Sequence, residues 1–158
     1  MKYVPRMKKH FWLFKTEPET YSIDDLRREK RAGWTGVRNY QARNFMRDSM
    51  RAGDLGLFYH SSCKPPGVAG VCRVVKTGVP DPTAGAESSV WIMVEVAFVE
   101  KFPRFISLDE LRADPAFADM MVLKRGCRLS IQPVDRKHFE RIVRLGHRPL
   151  TPASRALP

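Results

Sequence analysis

A chain of 158 residues, 43% of them hydrophobic, is long enough for one domain with a single sizeable core. Its 28 lysines and arginines exceed its 17 aspartates and glutamates by 11, which favours a polyanionic partner, with nucleic acid ahead of an acidic membrane. There is no long apolar run and no signal peptide at the start, so we expect neither a membrane span nor secretion, but a cytosolic protein, or a nuclear one in a eukaryote.

The cysteines indicate neither a disulfide framework nor a metal site. Their number, 3, is odd, which suits a reducing compartment, and they do not have the spacing of metal ligands with the 4 histidines. We therefore expect Cys63, Cys72 and Cys127 to serve as small apolar residues, and we expect no metal and no cofactor.

The chain begins with a basic segment, residues 1–9, which we expect to be a loosely ordered extension outside the domain. The apolar and aromatic run at residues 10–15 predicts a buried first strand. Pro18 should prevent this strand from continuing, because proline lacks a backbone N–H and restricts the conformation of the residue before it.

A helix is predicted next, over residues 23–31. Ser22 and Asp25 have the spacing of a capping box, in which each side chain accepts a hydrogen bond from the other residue's backbone N–H. We expect Gly33 to end this helix, because glycine readily adopts the left-handed conformation that often follows a helix.

The segment Gly33–Asn44 carries the clearest functional signal, because it combines Trp34 and Tyr40 with arginine, asparagine and glutamine. Rings can stack on a base, amides can read its edge and arginine can bind phosphate, so this mixture is typical of base recognition. A structural interpretation stays open, in which both rings belong to the core and Arg38 and Asn39 form a loop and a helix cap.

A second helix should begin at Asn39 or Tyr40. Its core-facing positions recur at helical spacing and are Ala42, Phe45, Met46, Ser49 and Met50. Arg43, Arg47 and Arg51 recur every four residues on another face. That face is either simply solvated or follows the phosphates of a nucleic acid, and both interpretations stay open.

Strands dominate the rest of the chain. They are predicted over residues 55–60, 68–76, 90–99 and 128–134. The segment 90–99 is the most apolar of them, so we expect it to be central in the sheet.

Two more helices accompany these strands. A short one follows Ser107, with Glu110 completing a capping box, and a final one follows Asp135 and should end at Gly146. Residues 147–158 are expected to be a Pro-rich flexible tail. The predicted fold class is α+β, with a small, mostly antiparallel sheet closed toward a barrel and flanking helices.

Six segments resemble the EVE domain family and follow its order. They are Trp12–Pro18, Tyr21–Leu26, Trp34–Asn44, Phe58–Ser61, Gly67–Gly70 and Arg128–Val134. Of these, Trp34–Asn44 resembles the most characteristic segment of the family. The resemblance spans residues 10–146, which we expect to form one domain.

The resemblance implies a PUA-like fold, a pseudo-barrel of strands with flanking helices, related to the YTH domains that read methylated adenine in RNA. It also implies a role without catalysis, in which the domain recognises a modified base of DNA or RNA in an aromatic pocket.

The residue types and the resemblance together suggest a set of binding residues. They are Lys15, Glu17, Trp34, Arg38, Asn39, Tyr40, Gln41, Arg43, Tyr59, His60 and Ser61. In this set at least one of the rings of Trp34 and Tyr40 would form the pocket wall, the amides of Asn39 and Gln41 would read a base edge, and Arg38 and Arg43 would bind phosphate. An ion pair between Lys15 and Glu17, and a structural role for His60, remain as alternatives.

Two other functions stay open at the level of the sequence. One is a nucleic-acid-processing hydrolase or nuclease, with His60 as general base assisted by Glu17 or Asp54. The other is a protein that binds a small nucleoside-like molecule. Against the enzyme, we find no P-loop, nucleophile elbow or zinc signature. Against the small ligand stands the net charge of +11, which such a ligand does not require.

Overall fold

The computed structural model describes residues 9–87 and 89–148. Apart from Lys9, the predicted basic extension therefore lies outside the described residues, as does the predicted tail from residue 149 onward. His147 was expected to begin the tail, but it is the last residue of a helix, so the domain continues beyond residue 146.

Six strands form one mixed sheet. They are β1 (Phe11–Thr16), β2 (Arg31–Gly33), β3 (Leu55–His60), β4 (Gly67–Pro80), β5 (Ile92–Ser107) and β6 (Ile131–Val134). Their order across the sheet is β2-β5-β4-β3-β1-β6. Strands β1 and β3 pair in parallel, and the other four neighbouring pairs of the described sheet are antiparallel. The predicted α+β class with a mostly antiparallel sheet is confirmed.

Four α-helices flank the sheet in the described part of the chain. They are α1 (Ile23–Glu29), α2 (Tyr40–Asn44), α3 (Leu108–Ala113) and α4 (Arg136–His147). Helix α2 continues directly into a π-helical turn, Phe45–Ser49. Within the described ranges, no helix has the length and the apolar character that crossing a membrane requires.

The pleat of β1 supplies two separate cores, because successive side chains of a strand point to opposite faces. Trp12 and Phe14 pack in the core beneath α1 and α2, which we name the α1/α2 core. Phe11 and Leu13 pack in the α3/α4 core on the other face. Each fully buried aliphatic or phenyl side chain contributes about 1.5–3 kcal/mol, so both faces of the sheet stabilise the domain.

Strands β4 and β5 are both longer than predicted. They pair with each other from Gly67 opposite Ser107 to Pro80 opposite Ile92, with register shifts that mark bulges along the way. The prediction stopped where the apolar alternation stops, at Lys76 and Val99, but the ladder between the two strands continues through polar residues. Strand β5 lies between β2 and β4, one position from the edge of the sheet.

Both glycines predicted to end helices have other roles. Helix α1 ends at Glu29, and Lys30, at a φ of 70°, caps it, while Gly33 lies in β2 opposite Glu95. Gly146 lies inside α4, where a Cβ atom would be 2.4 Å from the Phe102 ring. The absence of a side chain at Gly146 therefore lets α4 pack closely against β5, and this glycine does not end the helix.

The helix starts were predicted more accurately than the helix ends. The reciprocal capping box of Ser22 and Asp25 is present, and the Ser107 hydroxyl accepts the backbone N–H of Glu110. Asp135 precedes α4 as expected, but its side chain makes no capping hydrogen bond. The last strand is shorter than predicted, since β6 begins at Ile131.

Candidate nucleic-acid interface

Trp34 follows β2 directly and is fixed by the sheet and the α1/α2 core. Its backbone N–H donates to the carbonyl of Val94 at 2.7 Å, which extends the pairing of β2 with β5. Its ring meets the rings of Phe14 and Phe58 edge to face, at centroid distances of 5.2 and 5.6 Å. Only 8% of its surface is exposed. The indole is therefore held rigidly, with little freedom to turn.

A cavity of about 250 Å³ opens beside this indole, and we name it the Trp34 cavity. Its lining residues are Thr16, Thr20, Tyr21, Gly33, Trp34 and Thr35. Pockets for drug-sized ligands measure about 300–1,000 Å³, so this cavity suits a smaller group such as a single base. It offers one large ring, three threonine side chains and a phenol, a combination that can stack a flat ring and hydrogen-bond to its edge.

Tyr21 contributes a neutral phenol to the Trp34 cavity. Burial raises the pKa of Tyr21, and its hydrogen bond to Glu29 raises it further. The hydroxyl donates to Glu29 Oε1 at 2.6 Å, so its single proton is already engaged. Toward a ligand, this phenol can therefore act as a hydrogen-bond acceptor.

Asp81 anchors the loop between Trp34 and α2. The buried carboxylate accepts the backbone N–H of Gly36 at 2.8 Å and a guanidinium N–H of Arg38 at 3.1 Å. Its other oxygen accepts the backbone N–H and the hydroxyl of Thr83, at 2.8 and 2.6 Å. Burial raises the pKa of Asp81, but the hydrogen bonds from Thr83, Gly36 and Arg38 outweigh burial and hold the pKa at about 2.

At the start of α2 the exposed ring of Tyr40 lies against the buried ring of Trp91 and beside Arg38 and Arg43, and we name these four residues the Tyr40 platform. The rings of Tyr40 and Trp91 lie 4.8 Å apart between centroids, at an interplanar angle of 34°. The Arg43 guanidinium lies 4.9 Å from the Tyr40 ring centre, and that of Arg38 lies 5.6 Å from the Trp91 ring centre. Rings and cations are thus adjacent in this region of the structure.

The structural alternatives for this segment hold for some residues and fail for others. Asn39 caps α2, since its side-chain oxygen accepts the backbone N–H of Ala42 at 3.0 Å. Trp34 is a core residue that also lines a cavity. Tyr40, in contrast, is 60% exposed and therefore does not belong to the core. Gln41 is exposed on α2.

The three arginines predicted to share one helix face do not lie on one helix: Arg43 is on α2, Arg47 is in the π-helical turn and Arg51 follows that turn. Arg43 turns toward the Tyr40 platform, whereas Arg47 makes an ion pair with the neighbouring Asp48 at 2.8 Å. The interpretation as a solvated face therefore fits Arg47, and only Arg43 joins the candidate interface.

Two of the predicted residues lie on the opposite face of the sheet. Tyr59 is part of the α3/α4 core, and the Lys15 ammonium lies 5.9 Å from its ring centre and donates to the carbonyl of Cys127 at 3.4 Å. Burial raises the pKa of Tyr59 to about 12 and lowers that of Lys15. The sheet therefore separates both side chains from the Trp34 cavity.

Glu17 and Ser61 shape the chain at the ends of β1 and β3. The carbonyl of Glu17 accepts the backbone N–H groups of Thr20 and Tyr21, both at 2.9 Å, and its side chain is exposed. The backbone N–H of Ser61 donates to the carbonyl of Thr16 at 2.9 Å. Among the ion pairs of the described residues, none joins Glu17 to Lys15.

His60 holds the start of α1. Its Nε2 accepts the backbone N–H of Ile23 at 3.1 Å, and its ring meets Phe58 edge to face at 5.8 Å. Burial lowers the pKa of His60; of the charges nearby, Asp24 raises it and Lys101 lowers it. The imidazole is thus kept neutral, with Nε2 as an acceptor.

Asp54, the other proposed catalytic partner, is also part of the scaffold. Its buried carboxylate accepts the indole N–H of Trp12 and the backbone N–H of Arg51, both at 3.0 Å.

In the described ranges, no three histidine, cysteine, aspartate or glutamate side chains are grouped so that they could hold a metal ion. The cysteines are free thiols, and that of Cys72 is fully buried.

A larger cavity, of about 620 Å³, lies where β1 begins and α4 starts, between His10 and Arg136. None of the predicted binding residues lines it. The larger cavity is also lined by rings, those of His10, Phe11 and Trp12. The Trp34 cavity is smaller, and of the two it is the one that the segment Gly33–Asn44 helps to form.

Sequence reasoning missed two residues of this region. Asp81 lies between the predicted strands 68–76 and 90–99 and was given no role, and Trp91 was placed in the second of these strands. The Asp81-Pro82-Thr83 sequence favours a turn closed by the aspartate side chain, which was a usable signal. Nothing in the sequence places Trp91 beside Tyr40, because the contact depends on how β5 packs near α2.

Comparisons with known proteins show to which family this arrangement belongs. The EVE domain profile matches residues 10–145. Human thymocyte nuclear protein 1 is 38% identical over 164 aligned positions, which cover 85% of this chain and 72% of the human protein. A crystal structure of human THYN1 protein in complex with DNA containing 5-methylcytosine is 37% identical, with a TM-score of 0.77. The match covers 89% of this chain and 99% of that one.

A more distant structure shares the fold. The YTH domain of the Zygosaccharomyces rouxii MRB1 protein, solved with N6-methyladenosine RNA, aligns with a TM-score of 0.57 at 15% identity. The aligned part covers 96% of this chain and 92% of the YTH chain. At this identity the likeness concerns the fold alone. The predicted PUA-like architecture is confirmed, and this YTH domain shares it.

Proposed function

This chain belongs to the EVE domain family, and from that premise we propose that it is a nucleic-acid-binding module without catalytic activity that recognises a modified base in the Trp34 cavity. The observation that carries the proposal is the cavity itself, which places a rigid indole beside hydroxyl groups. The human relative solved with 5-methylcytosine DNA supports a methylated cytosine in DNA as the first ligand to test.

The energetics of a flipped base are compatible with such a cavity. Extruding a base from a duplex costs a few kcal/mol, and stacking on an aromatic side chain returns about 1–3 kcal/mol. A methyl group adds little contact area, so discrimination depends on how completely the indole and the threonine side chains exclude water around it. A single strand avoids the extrusion cost and should bind more tightly than a duplex of the same sequence.

The positive charge would supply the sequence-independent part of binding. The chain carries a net charge of +11. Arg38 lies in the segment that links the Trp34 cavity to α2, and Arg43 lies on α2 itself. Contacts between arginine and phosphate release counterions, so this contribution falls as salt concentration rises. Recognition of the modification, in contrast, should persist at high salt, since it depends on packing inside the cavity.

The contacts of the candidate catalytic groups support the absence of catalysis. His60 Nε2, which a general base needs as a free acceptor, is already occupied by the backbone N–H of Ile23. Asp54 holds the indole of Trp12 and the turn before β3. No observation in the described chain favours the hydrolase or the small-molecule alternative over base recognition.

A binding panel tests the proposal. It comprises DNA and RNA, single- and double-stranded, each unmodified or carrying 5-methylcytosine, 5-hydroxymethylcytosine or N6-methyladenine, at low and high salt. We expect a gain in affinity for one modified strand that survives high salt. Binding that is salt-sensitive and the same for all modifications would contradict base recognition and leave only a basic surface.

A further inference from the structure

The exposure of Tyr40 has no explanation in the folding of the domain. Among the large hydrophobic side chains of the described residues it has the greatest exposed fraction, 60%, although Trp91 beside it is buried. A ring left in water forgoes the free energy that its burial would contribute. A ring with this exposure, held in a fixed position, is instead typical of a surface that binds a flat ligand.

The platform is fixed in advance of binding. Asn39 caps α2 and thereby sets the position of Tyr40 at the first helical residue. Asp81 holds Arg38, and Arg43 is fastened by the side chain of Asn44 at 2.8 Å and by the carbonyl of Val90 at 3.2 Å. Such groups lose little entropy when a ligand binds, because they are already ordered.

The chemistry of the platform matches a nucleotide. A guanidinium has five N–H donors, of which Arg43 uses three in the described contacts. No carboxylate neutralises Arg43 among the ion pairs of the described residues. An exposed ring beside a cation with free donors suits a base and its phosphate. With a net charge of +11, a nucleic acid strand fits better than an apolar protein partner.

The platform also lies within reach of the Trp34 cavity. Trp34 and Tyr40 belong to one continuous segment, which spans at most about 20 Å even when fully extended. A strand with one base in the cavity can therefore reach the platform with a nucleotide no more than a few positions away. The same buried carboxylate, that of Asp81, fixes the loop on which both sites depend.

We infer that the Tyr40 platform is a second nucleotide subsite, which stacks an unpaired base near the recognised one while Arg43 binds its phosphate. The inference rests on the proposed function for the position of the first base. It predicts a preference for strands that are single-stranded or open next to the modification, because a paired base has no free face to stack.

The test measures binding of the full chain to fluorescent single strands by anisotropy. The strands are unmodified or carry 5-methylcytosine, and further strands have an abasic site at each position beside the modified base. Tyr40→Ala should weaken binding to the modified and the unmodified strand alike, about 5- to 100-fold, as expected for loss of one stacked base. Tyr40→Phe, which keeps the ring, should bind like the unaltered protein.

The abasic strands distinguish stacking from a structural effect. At one position, the abasic site should weaken binding to the unaltered protein. The same abasic site should not weaken binding to Tyr40→Ala any further, because the stacked base is already lost there. Val99→Ala, which alters another exposed apolar residue outside the platform, should leave affinity unchanged. The inference would be overturned if Tyr40→Ala bound as tightly as the unaltered protein. It would also be overturned if, at every abasic position, the fold-loss from the abasic site were as large in Tyr40→Ala as in the unaltered protein.

Failure of the proposed function gives a different pattern. The unaltered protein would then show no preference for a modified strand, while the effect of Tyr40→Ala would still appear on unmodified strands. Binding to no strand at all would overturn both proposals.

Discussion

At the scale of single residues, Trp34 combines a structural and a proposed functional role. Its ring packs edge to face on Phe14 and Phe58 and also lines the cavity. Those two rings, together with the backbone hydrogen bond from Trp34 to the carbonyl of Val94, hold the indole in place when a ligand enters. A base would therefore meet a surface that needs no rearrangement.

Replacing Trp34 should lower both the stability of the fold and the affinity for a modified strand. Trp34→Ala should lower the free energy of unfolding by about 3–5 kcal/mol, as for other large core aromatics. It should also weaken binding to a modified strand by about 1–3 kcal/mol if the ring stacks the base. Urea unfolding and anisotropy titration of the folded fraction measure the two effects.

Trp12→Ala is the matched control for Trp34. Trp12 is buried in the same core but does not line the Trp34 cavity, so its replacement should reduce stability and spare affinity. If Trp34→Ala were destabilised but bound the modified strand as tightly as the unaltered protein, Trp34 would be a core residue only.

Asp81 is the second residue on which the site depends. Asp81→Asn should lower the free energy of unfolding at neutral pH by about 1–3 kcal/mol, because an amide replaces a charged acceptor of four hydrogen bonds. The pKa of Asp81, about 2, lies below the ordinary 3.8, so the carboxylate stabilises the fold above pH 3.8 and loses this effect as pH falls toward 2.

The pH dependence provides the check on Asp81. The difference in unfolding free energy between Asp81→Asn and the unaltered protein should shrink as pH falls from 4 toward 2. A difference that stays constant over this interval would show that the charge of Asp81 does not stabilise the loop.

At the scale of elements, the site depends on how α1 and α2 begin. Helix α1 begins with the capping box of Ser22 and Asp25, and His60 of β3 accepts the next backbone N–H, that of Ile23. The cap thus ties α1 to the sheet near the Trp34 cavity, whose lining includes Tyr21 just before the helix.

This contact predicts a pH-dependent stability. The pKa of His60 is lowered by burial from its usual 6.5, so the unfolded chain takes up this proton at a higher pH than the folded one. The free energy of unfolding should therefore be unaffected by His60 above pH 6.5 and should fall as pH drops through 6.5 toward the lower, folded pKa. Unfolding in urea between pH 7.5 and 5 measures this slope.

His60→Gln isolates the contribution of this one group. Its amide oxygen can still accept the N–H of Ile23 but does not titrate, so the variant should lose less stability between pH 7.5 and 5. If the free energy of unfolding fell equally with pH in the variant and the unaltered protein, the neutral imidazole of His60 would not contribute to the stability of the fold.

These elements also show what sequence reasoning can and cannot reach. Caps such as Ser22 and Asn39 were predictable because they depend on a few neighbouring residues. Strand β2 was not, since three residues containing a glycine have little intrinsic strand preference and are ordered by pairing with β5. The placement of Lys15 away from the cavity was available from the sequence, because alternation sends it to the face opposite Thr16.

At the scale of the whole molecule, charge and cavity have separable effects. The net charge of +11 acts on any nucleic acid, whereas the cavity is proposed to distinguish one base. A change in the charged surface should therefore scale all affinities together, and a change in the cavity should alter their ratio.

Arg43→Ala tests the contribution of charge. It should weaken modified and unmodified strands by the same factor, and it should reduce the slope of log affinity against log salt by about 1. Titrations at several salt concentrations measure both quantities, with Lys137→Ala on α4 as a control for the loss of one exposed cation elsewhere. A loss confined to the modified strand would instead assign Arg43 to base recognition.

The most direct test of the central claim locates the modified base in the complex. A strand with a ¹³C-labelled 5-methylcytosine, or with whichever labelled methylated base the panel selects, is bound to the protein and studied by NMR. We expect nuclear Overhauser contacts from the base methyl group to the indole of Trp34 and to the methyl group of Thr20 or Thr35. Contacts only to other parts of the protein, with none to Trp34, would contradict recognition in this cavity.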